Sequence, residues 1–155
     1  MSKIKHIFIC RSAGDNMNAV QKVQIVTGKG IIGDRYYFNE GTFSGLPKGN
    51  PKRRDVTFIS SEEIDKFNDA LNVNIAYDQF RRNIVTVGID LNKLVGKKFK
   101  IGNCCFYGVE LCNPCGHLAK SAHQSILYTM RERSGLRAAA LSDGILAVDC
   151  KFNTR

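Results

Sequence analysis

The chain has 155 residues, of which 43% are hydrophobic and 24% charged, the size and composition of one globular domain. This composition excludes a disordered or collagen-like chain, and every apolar run is too short for a membrane-spanning helix. Lys and Arg number 23 against 14 Asp and Glu, so a net charge of +9 favours anionic partners. We expect a single cytoplasmic domain over residues 1–155, with its cysteines reduced and no membrane partner.

Short strands dominate the predicted secondary structure. Apolar and β-branched residues alternate in eight segments, at residues 3–10, 19–26, 55–59, 83–87, 97–101, 104–111, 137–141 and 145–150. The last two are predicted to form a hairpin around Ser142, Asp143 and Gly144. Many short strands with few helices favour a mainly β, barrel-like fold over a doubly wound α/β fold.

Two helices are predicted between these strands. The first begins after Ser60, which together with Glu63 has the spacing of a capping box. Its buried stripe follows at helical spacing, at Ile64, Phe67 and Leu71. The second helix is expected at residues 121–133, where apolar residues again recur at helical spacing.

A glycine motif follows the second predicted strand. Gly28, Gly30 and Gly33 match the G-x-G-x-x-G pattern of dinucleotide-binding proteins. No helical pattern follows, however, and Arg53 and Arg54 stand where such proteins need an acidic residue. We therefore interpret these glycines as residues of a tight turn.

Cys112 and Cys115 form a C-x-x-C pair with three open interpretations. A zinc site needs a second pair at similar spacing, and a redox pair needs a thioredoxin-like βα context. In the third interpretation Cys115 alone is a reactive thiol, because it lies near His117 and before a predicted helix. A cation and a helix N-terminus both favour the thiolate. Four other cysteines are interpreted as buried and structural: Cys10, Cys104, Cys105 and Cys150.

Paired arginines precede the strand at residues 83–87. Guanidinium groups such as those of Arg81 and Arg82 bind phosphate or carboxylate bidentately. A solvated charged surface explains the pair equally well, and the sequence leaves both interpretations open.

These motifs, taken in order, resemble the MOSC domain family, named for the C-terminal domain of molybdenum cofactor sulfurase. The resemblance lies in six stretches, at residues 30–35, 82–91, 94–102, 111–118, 133–138 and 143–146. It implies a β-rich, barrel-like fold and a link to the molybdenum cofactor and to sulfur transfer. The family's shared cysteine corresponds to Cys115, which would carry sulfane sulfur as a persulfide or ligate molybdenum. His117 would tune this thiol or relay a proton.

The resemblance also implies molybdopterin, an anionic pterin cofactor with a phosphate and a dithiolene-bound metal. Five residues are predicted to bind or orient it: Asp34, Arg35, Arg81, Arg82 and Asn83. No pyridoxal-phosphate site is recognised, so a partner such as a cysteine desulfurase would supply sulfur, or a redox protein electrons. The choice between a carrier and an enzyme stays open. Larger relatives reduce N-hydroxylated compounds with molybdenum, which is one alternative activity.

Two further hypotheses come from the residues alone. The +9 charge, with Arg and Lys clusters near Tyr and Phe, favours a basic nucleic-acid-binding β-barrel module. A zinc-stapled structural protein would instead use the cysteines as ligands.

Overall fold

The computed structural model describes residues 2–12, 15–38, 55–112 and 133–153, and within these ranges the chain forms two β-sheets and one α-helix. The strands in chain order are β1 (Lys3–Ile9), β2 (Asn18–Val20), β3 (Lys22–Val26), β4 (Gly30–Ile31), β5 (Val56–Ser60), β6 (Ile84–Val87), β7 (Lys98–Ile101), β8 (Cys104–Leu111), β9 (Leu136–Ala140), β10 (Gly144–Ala147) and β11 (Phe152–Asn153). The helix is α1 (Ser61–Leu71), and short 3-10 helices cover Tyr77–Phe80 and Leu91–Leu94. The predicted mainly β fold is confirmed.

Eight strands form the larger sheet, in the order β11-β7-β8-β9-β5-β6-β1-β2. Its neighbours are antiparallel except β5 and β6, which are parallel. Parallel neighbours need a crossover connection, and α1 lies within the segment that joins these two strands. The smaller sheet, β10-β3-β4, is antiparallel and contributes side chains to the same core.

Aromatic packing organises this core. Phe58 of β5 is fully buried, and its ring centroid lies 5.5 Å from that of Phe106 and 5.7 Å from that of Phe99, both edge to face. Such pairs add about 0.5–1.5 kcal/mol beyond the burial of their area. A second cluster packs Phe67 of α1 against Phe80, with ring centroids 5.9 Å apart. The amphipathic pattern of α1 is thereby confirmed.

The predicted C-terminal hairpin is wrong. β9 lies between β8 and β5, so both of its edges are already paired when β10 follows in the chain. β10 pairs instead with β3, with Leu146 opposite Val23. The turn between β9 and β10 is held by Asp143, whose Oδ1 accepts hydrogen bonds from the Thr27 amide and hydroxyl at 2.8 Å.

The single strand predicted at residues 19–26 is divided into two strands in the structure, β2 and β3. β2 pairs with β1 in the larger sheet, whereas β3 pairs with β4 and β10 in the smaller one. Alternation of side chains continues across the join, so the sequence pattern does not show where the chain changes sheets.

The start of α1 differs from the predicted capping box. Ser60 is the N-cap residue but makes no side-chain capping bond, and its hydroxyl donates to Glu62 Oε1 at 3.1 Å. Glu62 Oε2 accepts a hydrogen bond from the Gly88 amide at 2.7 Å. Burial raises the pKa of Glu62, but the bonds from Gly88, Ser60 and Ser61 outweigh it, so the pKa is lowered overall. The acid therefore ties α1 to the turn after β6.

Gly28 and Gly33 lie in turns, as the sequence predicts, whereas Gly30 begins β4 between them. Gly28, Gly30 and Gly33 all have positive φ, at 69°, 99° and 95°. A Cβ atom at Gly30 would lie 2.5 Å from the Asp55 carbonyl oxygen, a separation that backbone atoms cannot tolerate. Close approach of two chain segments therefore requires glycine here. The second helix predicted at residues 121–133 lies almost wholly outside the described residues.

Gly30→Ala tests this close approach. We expect it to lower the free energy of unfolding by about 3 kcal/mol, because strain at positive φ adds to a backbone clash. Gly96→Ala is the matched control, since Gly96 has φ 77° with nothing within 4 Å of the added Cβ. It should cost only about 1 kcal/mol. Urea unfolding measures both, and equal costs would contradict the clash.

Glu62→Gln tests the tie between α1 and β6. Because the folded pKa of Glu62 is lowered, its carboxylate stabilises the fold above the ordinary value of 4.5, and this stabilisation disappears as the pH falls through the lower folded value. Urea unfolding should therefore show a less stable variant near neutral pH and a shrinking difference in acid. Glu63→Gln is the control, because Glu63 makes only a 3.7 Å ion pair with exposed Lys66. A pH-independent difference would refute this role.

Candidate functional site

The turn after β4 places an acid and an arginine side by side inside the protein. The Asp34 amide donates to the Ile31 carbonyl at 3.0 Å, and Gly33 makes the preceding bend. Asp34 is fully buried and Arg35 is 5% exposed. Two adjacent charged residues are rarely buried unless they are paired, so their partners decide what they do.

Protein groups surround the Asp34 carboxylate. Oδ1 accepts hydrogen bonds from the Cys10 amide and from Arg35 Nη1, both at 3.1 Å, and Oδ2 accepts one from the Tyr36 amide at 3.4 Å. These contacts compensate a negative charge that burial would otherwise penalise. Asp34 therefore fixes Arg35 and the end of β1. Its carboxylate would influence a bound ligand only through the residues that it holds in place.

Arg35 connects the β4 turn to two other segments. Its Nη2 donates to the Arg81 carbonyl at 3.1 Å, and its Nη1 lies 3.5 Å from Cys10 Sγ and 3.7 Å from Met17 Sδ. The guanidinium also lies 4.8 Å from the Tyr36 ring centroid, within cation–π range. Two sulfur atoms and the Tyr36 ring therefore all contact the Arg35 guanidinium.

Arg81 approaches the same cluster from the other side. It ends the 3-10 helix Tyr77–Phe80 in a left-handed conformation with φ 61°. Its Nη1 donates to the Asp15 carbonyl at 2.6 Å, and its Nη2 lies 3.9 Å from Cys10 Sγ. Cys10, interpreted from the sequence as a buried structural thiol, is buried between two guanidinium groups. No local sequence motif predicts this position of Cys10, because the contacts join residues 10, 35 and 81, which are far apart in the sequence.

Arg82 points elsewhere and has an unused donor. Its Nε donates to the Ser134 carbonyl at 3.0 Å, while its buried Nη2 has no hydrogen-bond partner among the described residues. The Ser134 hydroxyl in turn donates to the Cys112 carbonyl, and the Cys112 amide donates to the Gly135 carbonyl at 2.7 Å. Because a buried unpaired donor costs about 1–3 kcal/mol, an acceptor at Arg82 Nη2 would stabilise the protein.

Asn83 has a structural position. Its Oδ1 accepts hydrogen bonds from the Thr57 amide and hydroxyl at 3.1 Å, and its Nδ2 donates to the Phe8 carbonyl at 3.1 Å. The side chain therefore joins β5 to β1 across the start of β6. Asn83 was predicted to contact a cofactor, and that prediction stays untested.

Cys115 and His117, the predicted catalytic residues, lie outside the described residues. Cys112 and Ser134, which border this part of the chain, are both fully buried. In the part of the chain that the structure describes, no group of three His, Cys, Asp or Glu residues could hold a metal ion. The same ranges contain no helix long and apolar enough to cross a membrane.

The remaining described cysteines are free thiols. Cys104 is buried as predicted, whereas Cys105 and Cys150 are only half-buried. Burial raises the pKa of the Cys104 thiol, and the nearby Cys150 and Cys105 raise it further. Cys104 is therefore kept as an unreactive thiol, which fits a structural role.

The family model of the MOSC domain matches residues 22–152, most of the chain. The chain belongs to the MOSC domain family. This family is linked in general to proteins of the molybdenum cofactor. No curated protein sequence matches the chain.

Three solved structures of other proteins share the fold. The YuaD protein from Bacillus subtilis superposes with a TM-score of 0.76 at 16% identity, over 98% of this chain and 94% of that one. YiiM from Geobacillus stearothermophilus has a TM-score of 0.72 at 14% identity, over 98% and 74% of the two chains. YiiM from Escherichia coli has a TM-score of 0.66 at 15% identity, over 99% and 70%. At these identities the likeness shows the fold alone.

Asp34→Asn tests the buried pair of this MOSC domain. It removes the charge that compensates Arg35 while keeping the shape of the side chain, and we expect a loss of about 3 kcal/mol in the free energy of unfolding. Asp149→Asn is the control, because Asp149 pairs with Lys3 at 2.8 Å on the surface. That variant should lose less than about 1 kcal/mol. Similar losses in urea unfolding would show that Arg35 does not depend on Asp34.

Proposed function

We propose that this MOSC protein binds the anionic molybdenum cofactor and carries sulfane sulfur on Cys115. The observation that carries the proposal is the buried Nη2 of Arg82, which has no hydrogen-bond partner within residues 2–12, 15–38, 55–112 and 133–153. It belongs to a guanidinium already held by the Ser134 carbonyl. A fixed guanidinium with a spare N–H is a suitable donor for a phosphate oxygen.

The position of Arg82 in the fold supports a shared site with Cys115. Ser134, which holds Arg82, also bonds the Cys112 carbonyl, and Cys115 follows Cys112 by three positions in the sequence. Arg82 would therefore bind the phosphate end of the ligand, and Cys115 would face its sulfur-reactive end.

Arg35 and Arg81 have supporting functions in this proposal. Arg35 is neutralised by Asp34 and holds the Arg81 carbonyl, so it orients the chain just before Arg82. Arg81 is only partly buried, and no carboxylate of the described residues pairs with it, so its charge attracts an anion. Asn83 fixes the backbone after Arg82 through its bonds to Thr57 and Phe8.

Transfer of sulfur from a persulfide donor to Cys115 requires no external oxidant. The thiolate attacks the terminal sulfur of a persulfide donor, a new S–S bond forms on Cys115, and the donor's S–S bond breaks. The donor leaves as a thiolate, and His117 accepts the proton that the Cys115 thiol loses. A cysteine desulfurase is the class of partner that presents such a persulfide.

Two residues of the chain would suit the cofactor. Arg82 offers a buried cationic donor for its phosphate, and a thiolate at Cys115 offers the soft ligand that molybdenum favours. When bound, the cofactor supplies a dithiolene-held metal at which sulfur or oxygen chemistry takes place. The chain's own part is to hold the anion and to position the thiol.

Cys115→Ser tests the sulfur step. After treatment with a persulfide donor, the wild-type protein should gain about 32 Da, the mass of one sulfur atom, and the variant should not. Cys105→Ser is the matched control, because Cys105 is a half-buried free thiol on β8 and its replacement should leave the gain intact. Intact-protein mass spectrometry measures the increment. An unchanged increment in Cys115→Ser would refute the sulfur carrier.

Arg82→Met tests cofactor binding separately. In a host that makes the cofactor, the purified variant should retain about tenfold less pterin and molybdenum than the wild type, because it loses a charge-assisted bond. Arg82→Lys keeps the charge but not the fork of donors, and we expect an intermediate content. Metal analysis and pterin fluorescence give the readouts. Wild-type content in Arg82→Met would overturn the assignment of Arg82 without affecting the sulfur test.

A further inference from the structure

The outward face of β7, β8 and β11 combines lysines with an aromatic ring. We call this the lysine face and define it by five residues: Lys98, Lys100, Cys105, Tyr107 and Asn153. Lys98 lies opposite Tyr107, and Lys100 lies between Cys105 on one side and Asn153 on the other. The strand pairing therefore sets these side chains in two adjacent rows on one side of the sheet.

The rigid core lies directly beneath this face. Phe99 and Ile101 alternate with the two lysines and point inward, where Phe99 stacks on Phe106 with ring centroids 5.6 Å apart. A shallow cavity of about 280 Å³ opens on the outer side, lined by Lys98, Phe99, Lys100, Cys105 and Asn153. Both lysines are exposed, so their ammonium groups are accessible from solvent.

The five residues of the lysine face carry only positive charge. The segments Lys98–Ile101, Cys104–Tyr107 and Phe152–Asn153 contain no Asp or Glu. Farther along β8, Glu110 lies 3.8 Å from Arg137, which compensates its charge. Lys97 and Lys151 are exposed at the ends of the same strands and add to the positive field.

Acidic residues are concentrated on a different element. The helix α1 carries four of them, at Glu62, Glu63, Asp65 and Asp69. The net charge of +9 is therefore unevenly distributed between the helix and the β7–β8 edge of the sheet. Such an asymmetry directs an anionic partner to the lysine face.

We propose that the lysine face binds single-stranded nucleic acid, independently of the cofactor site. Lys98 and Lys100 would contact backbone phosphates, since ammonium groups bind phosphate as point charges. Tyr107, half-buried and opposite Lys98, would stack on a base. A positive surface with an aromatic platform is the combination that binds single strands without sequence preference.

The composition of the face favours this partner over two others. A membrane surface rewards several apolar side chains that insert beside the cations, and here Tyr107 is the aromatic member of a face otherwise made of Lys, Cys and Asn. An acidic protein would use the charge of the lysines but would gain no specific benefit from a stacking ring. Binding to vesicles or to an acidic polypeptide can each be distinguished from nucleic-acid binding by experiment.

The test compares two charge-reversed variants by fluorescence anisotropy with a labelled polyuridine of about 20 nucleotides, long enough for one binding domain. Lys98→Glu/Lys100→Glu reverses the lysine face. Lys22→Glu/Lys66→Glu, with exposed lysines on β3 and α1, makes the same change in net charge elsewhere. We expect wild-type binding that weakens with salt. Loss of two phosphate contacts should reduce the slope of log K against log salt by about 1.4 in the first variant only.

The aromatic contribution is tested by Tyr107→Leu against Tyr107→Phe. The leucine variant should bind polyuridine about fivefold or more weakly, and the phenylalanine variant should bind as the wild type does. Circular dichroism and urea unfolding confirm that each variant is folded. Phosphatidylserine vesicles and polyglutamate serve as alternative anions.

Four outcomes would overturn the proposal. These are no binding by the wild type, equal weakening by both charge-reversed variants, no effect of Tyr107→Leu, or equal or tighter binding of vesicles or polyglutamate. None of them bears on Cys115 or Arg82, so the proposed sulfur and cofactor functions stand or fall separately.

Discussion

The buried ion pair of Asp34 and Arg35 is the contact on which the arrangement of the site depends. The carboxylate holds the backbone at the end of β1, and the guanidinium holds the backbone just before β6. Each charge would be costly in the protein interior without the other. Because the two residues are adjacent in one turn, three distant segments of the chain are brought together by a single pair. The geometry of Arg81 and Arg82 depends on this junction.

Three consecutive residues then use that junction in different ways. Arg81 has a left-handed backbone and extends towards Asp15 and Cys10. Arg82 extends to Ser134, and Asn83 joins β5 to β1. Two arginines that look equivalent in the sequence therefore differ in environment. Arg81 is partly exposed and donates to a backbone carbonyl. Arg82 is buried, and its Nη2 has no hydrogen-bond partner among the described residues.

Local patterns predicted much of this fold. Alternation located most strands of the described chain, and the apolar stripe located α1, because burial on one face imposes a period on the sequence. Pairing partners were not predictable in the same way. The hairpin between β9 and β10 failed because β8 and β5 compete for β9 across long sequence separations. The capping box predicted for Ser60 and Glu63 did not form, because the Ser60 hydroxyl donates to the Glu62 carboxylate. Glu62 is in turn held by the Gly88 amide, which is remote in the sequence.

The candidate site shows the same division. The arginine pair and the cysteine pair are visible as motifs, so Arg81, Arg82 and Cys115 were proposed from the residues, and the family resemblance added Asp34 and Arg35. The position of Cys10 between two guanidiniums was missed, since no motif links residues so far apart. The unpartnered Nη2 of Arg82 is likewise a property of the folded state only.

The central place of β9 in the larger sheet has a consequence for how the protein folds. Val56 of β5 pairs with Ala138 of β9, and β8 lies on the other side of β9. The middle of the sheet is thus completed by a strand from the last part of the chain. Contacts of such high sequence separation slow folding, because a long loop must close before they form. During synthesis on the ribosome, the edge of β5 that pairs with β9 stays unpaired until β9 emerges. In that interval the exposed strand edge makes the nascent chain prone to aggregation.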